Sequence, residues 1–441
     1  MLSLRLRTAI CLLSLIFILP AFAFAQQFKV GFAKVDITPK KPTPMWGYGV
    51  RHDMLSKGVQ NPLYAKAVVI DVGDQKLALV GLDLGRSLGE PQYSQIKQAI
   101  KKDSGVTALM MVGSHTHSGP VLELKDEPGK GKGKFDYAVK YVGELEQNLI
   151  DVINEAAKNV QDARIGWGSM NVDMNRNRQA KKEPKPRDTE LAVVRFDDLN
   201  GKPIAILTNF AAHPTMLNPM DCLFSSEWPG QMQDNVEKDL HTNCMFMQGA
   251  AGDMSVKTTP KTNTIETYGK AMAGYVEQIA KGIQTKVPEH PSIQCMEKTY
   301  AFKTRIDFRN KAVQQLLAKA FFPELAHAFL DDVKDDIIRP HLTVVLLNKQ
   351  LALVGGSGEF FCNHSNRLKA RSGAEKTLFF GYCNGHHMYF PTIEQAAQGG
   401  YGADAQVSWV SLGAGEEMMN DALIDIYVML GKLTREQVSP L

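Results

Sequence analysis

Apolar and polar positions along this chain follow two rhythms. Residues 30–39, Val30-Gly31-Phe32-Ala33-Lys34-Val35-Asp36-Ile37-Thr38-Pro39, alternate as a strand does and stop at a proline. Three further pairs of aliphatic runs, 65–72 with 76–83, 191–196 with 203–210, and 342–347 with 351–355, are each separated by a short polar turn, which predicts three β-hairpins. The first and third hairpins share the string Leu-Ala-Leu-Val-Gly, at 77–81 and 351–355, a trace of internal duplication too short to establish one. Between the hairpins, apolar residues recur at three-and-four spacing over 91–102, 135–157, 227–240, 266–281, 312–330, 363–371 and 416–430, which predicts helices. The fold class that follows is α/β, with mixed β-sheets flanked by helices and polar residues gathered at strand ends.

Chemistry appears where the strands stop. The apolar run 108–112 leads into Gly113-Ser114-His115-Thr116-His117-Ser118-Gly119-Pro120. On an extended strand His115 and His117 would project to one face, an arrangement that suits a divalent metal as well as it suits a hydrogen-bonded structural histidine. The second hairpin runs into Phe210-Ala211-Ala212-His213, and the third into Gly356-Ser357-Gly358-Glu359. Asp83 and Asp253 are candidate partners that orient a ligand imidazole, or turn caps. The loop from 40 to 61 carries Trp46, Tyr48, Arg51 and His52, more aromatic than a solvated linker, and is expected beside a pocket. The Gly-Lys repeat at 127–134 is expected to be a mobile surface loop, with a lid over the site as the lesser alternative; it lacks the spacing of a phosphate-binding loop.

Residues 1–25 place Arg5 and Arg7 before an apolar core at 9–19 and an Ala-x-Ala end, the form of a cleaved secretory signal. The expected mature protein, 26–441, is a single domain that is periplasmic or secreted, with no transmembrane segment. Removing Arg5 and Arg7 takes the basic count from 50 to 48, against 47 acidic side chains, a balance that gives no general attraction to nucleic acid. Five cysteines then remain, Cys222, Cys244, Cys295, Cys362 and Cys383, without zinc-knuckle spacing, and they read as small buried residues.

Taken in order, these pieces resemble the neutral (alkaline, non-lysosomal) ceramidase family in its N-terminal catalytic domain. The resemblance rests on Asp36-Ile37-Thr38-Pro39 with Gly47-Tyr48-Gly49, on 61–67, His115-Thr116-His117-Ser118-Gly119-Pro120, Asn175-Arg176-Asn177-Arg178, 209–215, 248–255, Glu359-Phe360, and Asn384-Gly385-His386-His387-Met388-Tyr389. It implies Zn2+ held by His115, His213 and Glu359, with His117 as acid/base, Arg178 on the substrate carbonyl (Arg176 if the register slips), and Tyr401 as a second contact to the amide. The family's tyrosine ligand aligns with His386, which then becomes the fourth metal-ligand candidate. Family members continue into an immunoglobulin-like C-terminal domain, and none is expected here. The implied activity is hydrolysis of an N-acyl amide, ceramide to sphingoid base and fatty acid. The alternatives are a zinc hydrolase of a different amide, ester or lactone, and a non-catalytic extracytoplasmic binding protein.

Overall fold

The computed structural model describes residues 27–333 and 335–438; the proposed leader at 1–25 lies outside them. Eight strands form one mixed sheet: β1 (Lys29–Asp36), β2 (Tyr64–Val72), β3 (Gln75–Leu82), β4 (Ala108–Gly113), β5 (Gln161–Asn171), β6 (Glu190–Asp198), β7 (Pro203–Phe210) and β8 (Asn243–Gln248). Their spatial order is β8-β7-β6-β5-β1-β2-β3-β4. A second sheet runs β9-β10-β11-β12, with β9 Ile293–Thr299, β10 His341–Leu347, β11 Leu351–Gly356 and β12 Lys376–Phe380.

Period-two alternation sorts the strand side chains into layers. On β2, Val68 and Ile70 join an apolar cluster shared with Val345, Leu347, Leu353 and Phe380 of the second sheet, so the two sheets pack face to face. Ala67 and Val69, one residue out of phase, pack instead under the helices α1 (Gln92–Ser104) and α2 (Asp136–Lys158). Helix α2 repays this with Tyr141, Leu145, Leu149, Val152 and Ala156 on one face, the spacing that predicted it. Helices α3 (Glu227–Leu240) and α4 (Ile265–Gly282) cover β6 to β8. The far face of the second sheet carries α5 (Lys311–Ala320), α6 (Pro323–Asp332), α7 (Cys362–Arg371) and α8 (Ala414–Met429). The single helix expected over 312–330 is two, because Pro323 lacks an N–H, starts a new helix readily, and forces Phe322 to an extended φ of −176°.

Each predicted hairpin is present and antiparallel, and each is followed by a helix and a strand that returns parallel to the hairpin's second strand: β2-β3-α1-β4, β6-β7-α3-β8 and β10-β11-α7-β12. The parallel pairs β3/β4, β7/β8 and β11/β12 therefore release their chain ends on the same side. The shared string at 77–81 and 351–355 occupies equivalent strands of the first and third units.

Buried amides stitch the three ends together. Asn384 accepts from Met111 N at 2.8 Å and donates to Leu109 O at 2.9 Å, Gln248 donates to Ser114 O and Ala212 O at 2.9 Å each, and Asn209 donates to Met247 O and Phe379 O. A buried ion cluster does the same for the second and third units: Lys369 lies 2.8 Å from Asp188 and 3.1 Å from Glu190, which also pairs with Lys376. Burial alone would raise the Glu190 pKa, but the two lysines hold it down to about 2 from 4.5. A depressed carboxylate stabilises the fold above its unfolded pKa and stops doing so as pH falls through the folded value. Glu190→Gln is therefore expected to cost about 1–2 kcal/mol at neutral pH after allowance for solvent screening. The gap in urea midpoint between variant and parent should shrink as pH falls from 4.5 toward 2.

Among the described residues all five cysteines, Cys222, Cys244, Cys295, Cys362 and Cys383, are free thiols, and all but Cys295 are buried. The Gly-Lys segment lies at the surface, mostly exposed, as expected, but it is tied down: Lys130 reaches Asp331 at 2.5 Å, Lys134 reaches Glu324 at 3.1 Å, and Gly129 O faces His327 Nδ1 at 3.0 Å. It straps α6 in place.

Candidate metal centre

Strand β4 stops at Gly113, and His115 turns to φ 66°, so the two histidines do not share an extended face. The left-handed turn at His115 brings the rings together instead, their Nε2 atoms 3.2 Å apart. From the second unit His213 places its Nε2 3.1 Å from that of His115. From the third, Glu359 Oε2 lies 3.3 Å from both nitrogens. His115, His213 and Glu359 are almost wholly buried.

Proton placement shows what this triangle can hold. His115 Nδ1 lies 2.8 Å from Gly85 O, and His213 Nδ1 lies 2.7 Å from Ala251 O and 3.0 Å from Met254 O. Carbonyls only accept, so both Nδ1 atoms carry the proton and both Nε2 atoms present lone pairs. Two lone pairs and a carboxylate oxygen facing one point suit a bound cation, beside the Arg178 guanidinium whose Nη2 lies 2.7 Å from His213 Nε2. The edges, 3.1, 3.3 and 3.3 Å, match the ~3.3 Å separation of tetrahedral donors about 2.0 Å from zinc. The donor set fits a metal. Burial, then the nearby Arg178, lowers the His213 pKa to about 3, which keeps the ring neutral.

The model of the family described as neutral/alkaline non-lysosomal ceramidase, N-terminal, matches residues 28–301. The chain belongs to that family. The neutral ceramidase of Pseudomonas aeruginosa is 24% identical over 261 residues, 56% of this chain and 39% of that protein. Neutral ceramidase A of Dictyostelium discoideum is 26% identical over 268 residues, 54% of this chain and 37% of that protein. The chain thus spans about two fifths of the length of the curated relatives it matches. A crystal structure of the Pseudomonas aeruginosa neutral ceramidase superposes with a TM-score of 0.74 at 17% identity, over 92% of this chain and 75% of that one, a likeness of fold.

Around the triangle, this ceramidase-family chain arranges the remaining candidates at different depths. His117 lines a cavity of about 60 Å³ that opens beside Glu359. Arg178, not the exposed Arg176, reaches the cluster: its Nη2 is 2.7 Å from His213 Nε2 and 3.1 Å from Tyr389 Oη, while its buried Nε–H has no partner. His386 lies outside the triangle, its Nε2 3.2 Å from the other carboxylate oxygen, Glu359 Oε1. Tyr401 stands at the cavity edge, its ring 5.7 Å from that of Tyr389.

Tyr389 is the residue that sequence reasoning passed over, having assigned the aligned tyrosine position to His386. The signal is a short parallel ladder in which Glu359 pairs with Tyr389, setting their side chains next to each other. Tyr382, in the candidate stretch 381–389 but given no role there, stacks on His115 at 4.1 Å. Neither Asp83 nor Asp253 touches an imidazole. Asp83 accepts from Tyr64 N and Gln233 Nε2, and burial raises its pKa to about 6. Asp253 accepts from Asn177, Cys362 N and Gln395, and so ties loops together behind the site. Backbone carbonyls orient the ligand rings in their place.

His117 is held differently from its neighbours, since its Nδ1 is buried without a partner. Shape fixes the ring instead. Trp46 and Tyr48 meet it edge-on at 5.4 and 4.8 Å, and Gly47, at φ +102°, lies so close that a Cβ there would fall 2.5 Å from His117 Cγ. Arg51 clamps this wall. Its guanidinium is buried without a carboxylate, donates to Trp46 O at 2.7 Å and to His117 O, and lies 4.9 Å from the Tyr48 ring.

Proposed function

We propose that this chain is an exported zinc hydrolase that cleaves an N-acyl amide bond of the ceramide type, giving a sphingoid base and a fatty acid. The observation that carries the reading is the buried His115–His213–Glu359 triangle beside a cavity that His117 lines. Family membership supports the substrate class, and the leader-like residues 1–25 support export. Among the described residues no helix is long and apolar enough to cross a membrane.

His115 and His213 would hold zinc through Nε2 and Glu359 through Oε2, while His386 steadies Glu359 through Oε1 and Tyr389 would serve as a further oxygen donor. When bound, zinc supplies Lewis acidity and a source of hydroxide near neutral pH. His117 Nε2 takes the proton from the attacking water and returns it to the departing amine nitrogen. Arg178 offers its unpartnered Nε–H to the oxygen of the substrate carbonyl as negative charge develops there, with the Tyr401 hydroxyl as a second donor. Met45, Trp46, Phe322, Leu325 and Phe329 exclude water from the cavity.

Elemental analysis of the purified protein, paired with fatty-acid release from ceramide before and after chelation, tests this. About one zinc per chain and chelator-sensitive release are expected; a metal-free protein with full activity would overturn the mechanism. A second reading, a shorter N-acyl substrate, is favoured by the cavity itself, whose enclosed part, about 60 Å³, has room for only a few waters before it opens to solvent. A series of N-acyl chain lengths separates the two by where kcat/KM peaks.

The clamp on His117 gives a further expectation. Arg51→Lys keeps the charge but loses the planar group that bonds both carbonyls through Nη2 while lying over the Tyr48 ring, so His117 shifts by a fraction of an ångström. kcat should fall by about tenfold to a hundredfold with zinc content unchanged. A variant with parental kcat would show that the clamp does not position His117.

A further inference from the structure

Large apolar side chains exposed on this protein concentrate around the mouth of the cavity. Val50 is 67% exposed, Leu316 64% and Tyr401 61%, and Leu55, Val59 and Met220 are also open to solvent. Their positions are linked through the backbone. Gly49, next to Val50, lines the cavity and packs against the carbonyl of Ala320, one turn after Leu316 on α5. Leu55 bridges to Pro44, the turn that carries Met220 packs on the turn that carries Val50, and Val59 pairs with Phe224. Tyr401 lines the cavity itself.

Basic charge predominates on this rim. Lys311 and Lys319 are exposed on α5, which contains no acid and buries only Leu317 fully, and among the described residues neither lysine is in an ion pair. Lys57 is exposed and bonded only to the carbonyl of Met220, at 3.3 Å. Of the acids nearby, Asp53 and Glu324 share Lys134 at 2.8 and 3.1 Å, while Asp221, accepting from the neutral Asn218 amide, keeps its charge against the three lysines. A helix with apolar and basic residues outward, set against a lipid-sized demand for apolar surface, has the form of an interfacial anchor.

We propose that the rim formed by Val50, Leu55, Val59, Met220 and α5 is a docking surface for an anionic lipid bilayer, which presents the substrate's acyl chain directly to the cavity mouth. The inference rests on the lipid-amide reading above. It also accounts for the small cavity, since a docked enzyme leaves most of the chain in the membrane.

Sedimentation of the purified protein with phosphatidylcholine vesicles, with and without phosphatidylglycerol, tests it. Binding is expected to the anionic vesicles and to weaken with added salt. The pair Val50→Asp and Leu316→Asp should weaken it at least about tenfold, and Lys311→Glu with Lys319→Glu by about fivefold for each lysine. Leu199→Asp, an equally exposed apolar residue on the β6–β7 turn, should change nothing. Thermal unfolding verifies that the variants fold. All should cleave a monomeric short-chain N-acyl substrate at the parental rate and differ only on vesicle-borne ceramide. The surface is overturned if the parent binds no vesicles, binds neutral and anionic vesicles alike, or is weakened as much by Leu199→Asp. Vesicle binding without cleavage of either substrate would instead overturn the proposed function and leave the surface standing.

Discussion

His213→Ala is expected to strip the metal from the protein and to lower kcat/KM on an N-acyl amide by at least about 10³-fold, as loss of a Lewis acid worth about 4 kcal/mol requires. The argument is geometric. The triangle has three corners with edges of 3.1, 3.3 and 3.3 Å, and removing His213 opens one of them, leaving His115 and Glu359 with only the less central His117 and His386 to complete a tetrahedral set. A second readout needs no substrate. Binding to the folded state alone should raise stability by about 2.7 kcal/mol at free zinc about 100 times Kd, so zinc should shift Tm upward in the parent and leave the variant unmoved. A His213→Ala protein that retains zinc at parental stoichiometry would remove the triangle from consideration as the metal site.

Most of the fold was legible because each hairpin carried its own periodicity and its own polar turn. The parallel return strands β4, β8 and β12 explain why the chemistry collects at strand ends, and only their pairing, a long-range fact, brings His115, His213 and Glu359 to one point. Local rules failed where tertiary demands override them. The alternation argument for His115 and His117 assumed an extended strand, whereas the chain turns left-handed at His115. The α5–α6 break was written in Pro323 but hidden by an apolar pattern that continues across it. The Gly-Lys segment is solvated as its composition suggests, but composition does not reveal that Asp331 and Glu324 of α6 anchor Lys130 and Lys134. Tyr389 escaped because its placement depends on a two-residue ladder with Glu359. Arg51 escaped in part: the loop was expected near a pocket, but a buried guanidinium holding two carbonyls cannot be inferred from one arginine among aromatics.

His117→Ala separates holding the metal from using it. The triangle does not include His117, so zinc content and the zinc-induced rise in Tm should stay at parental values. kcat should nevertheless fall by about 10² to 10⁴, the usual contribution of a positioned acid/base, with KM changed far less. The buried Nδ1 has no partner, and Trp46, Gly47 and Tyr48 set the ring so that Nε2, 3.2 Å from His115 Nε2, faces the cluster. Removing the ring also leaves an imidazole-sized space open to the cavity, so added imidazole should restore part of kcat in His117→Ala and none in His213→Ala. Loss of zinc together with activity in His117→Ala would mean that His117 is a ligand, and the proton-carrying role would then pass to another group at the cavity wall.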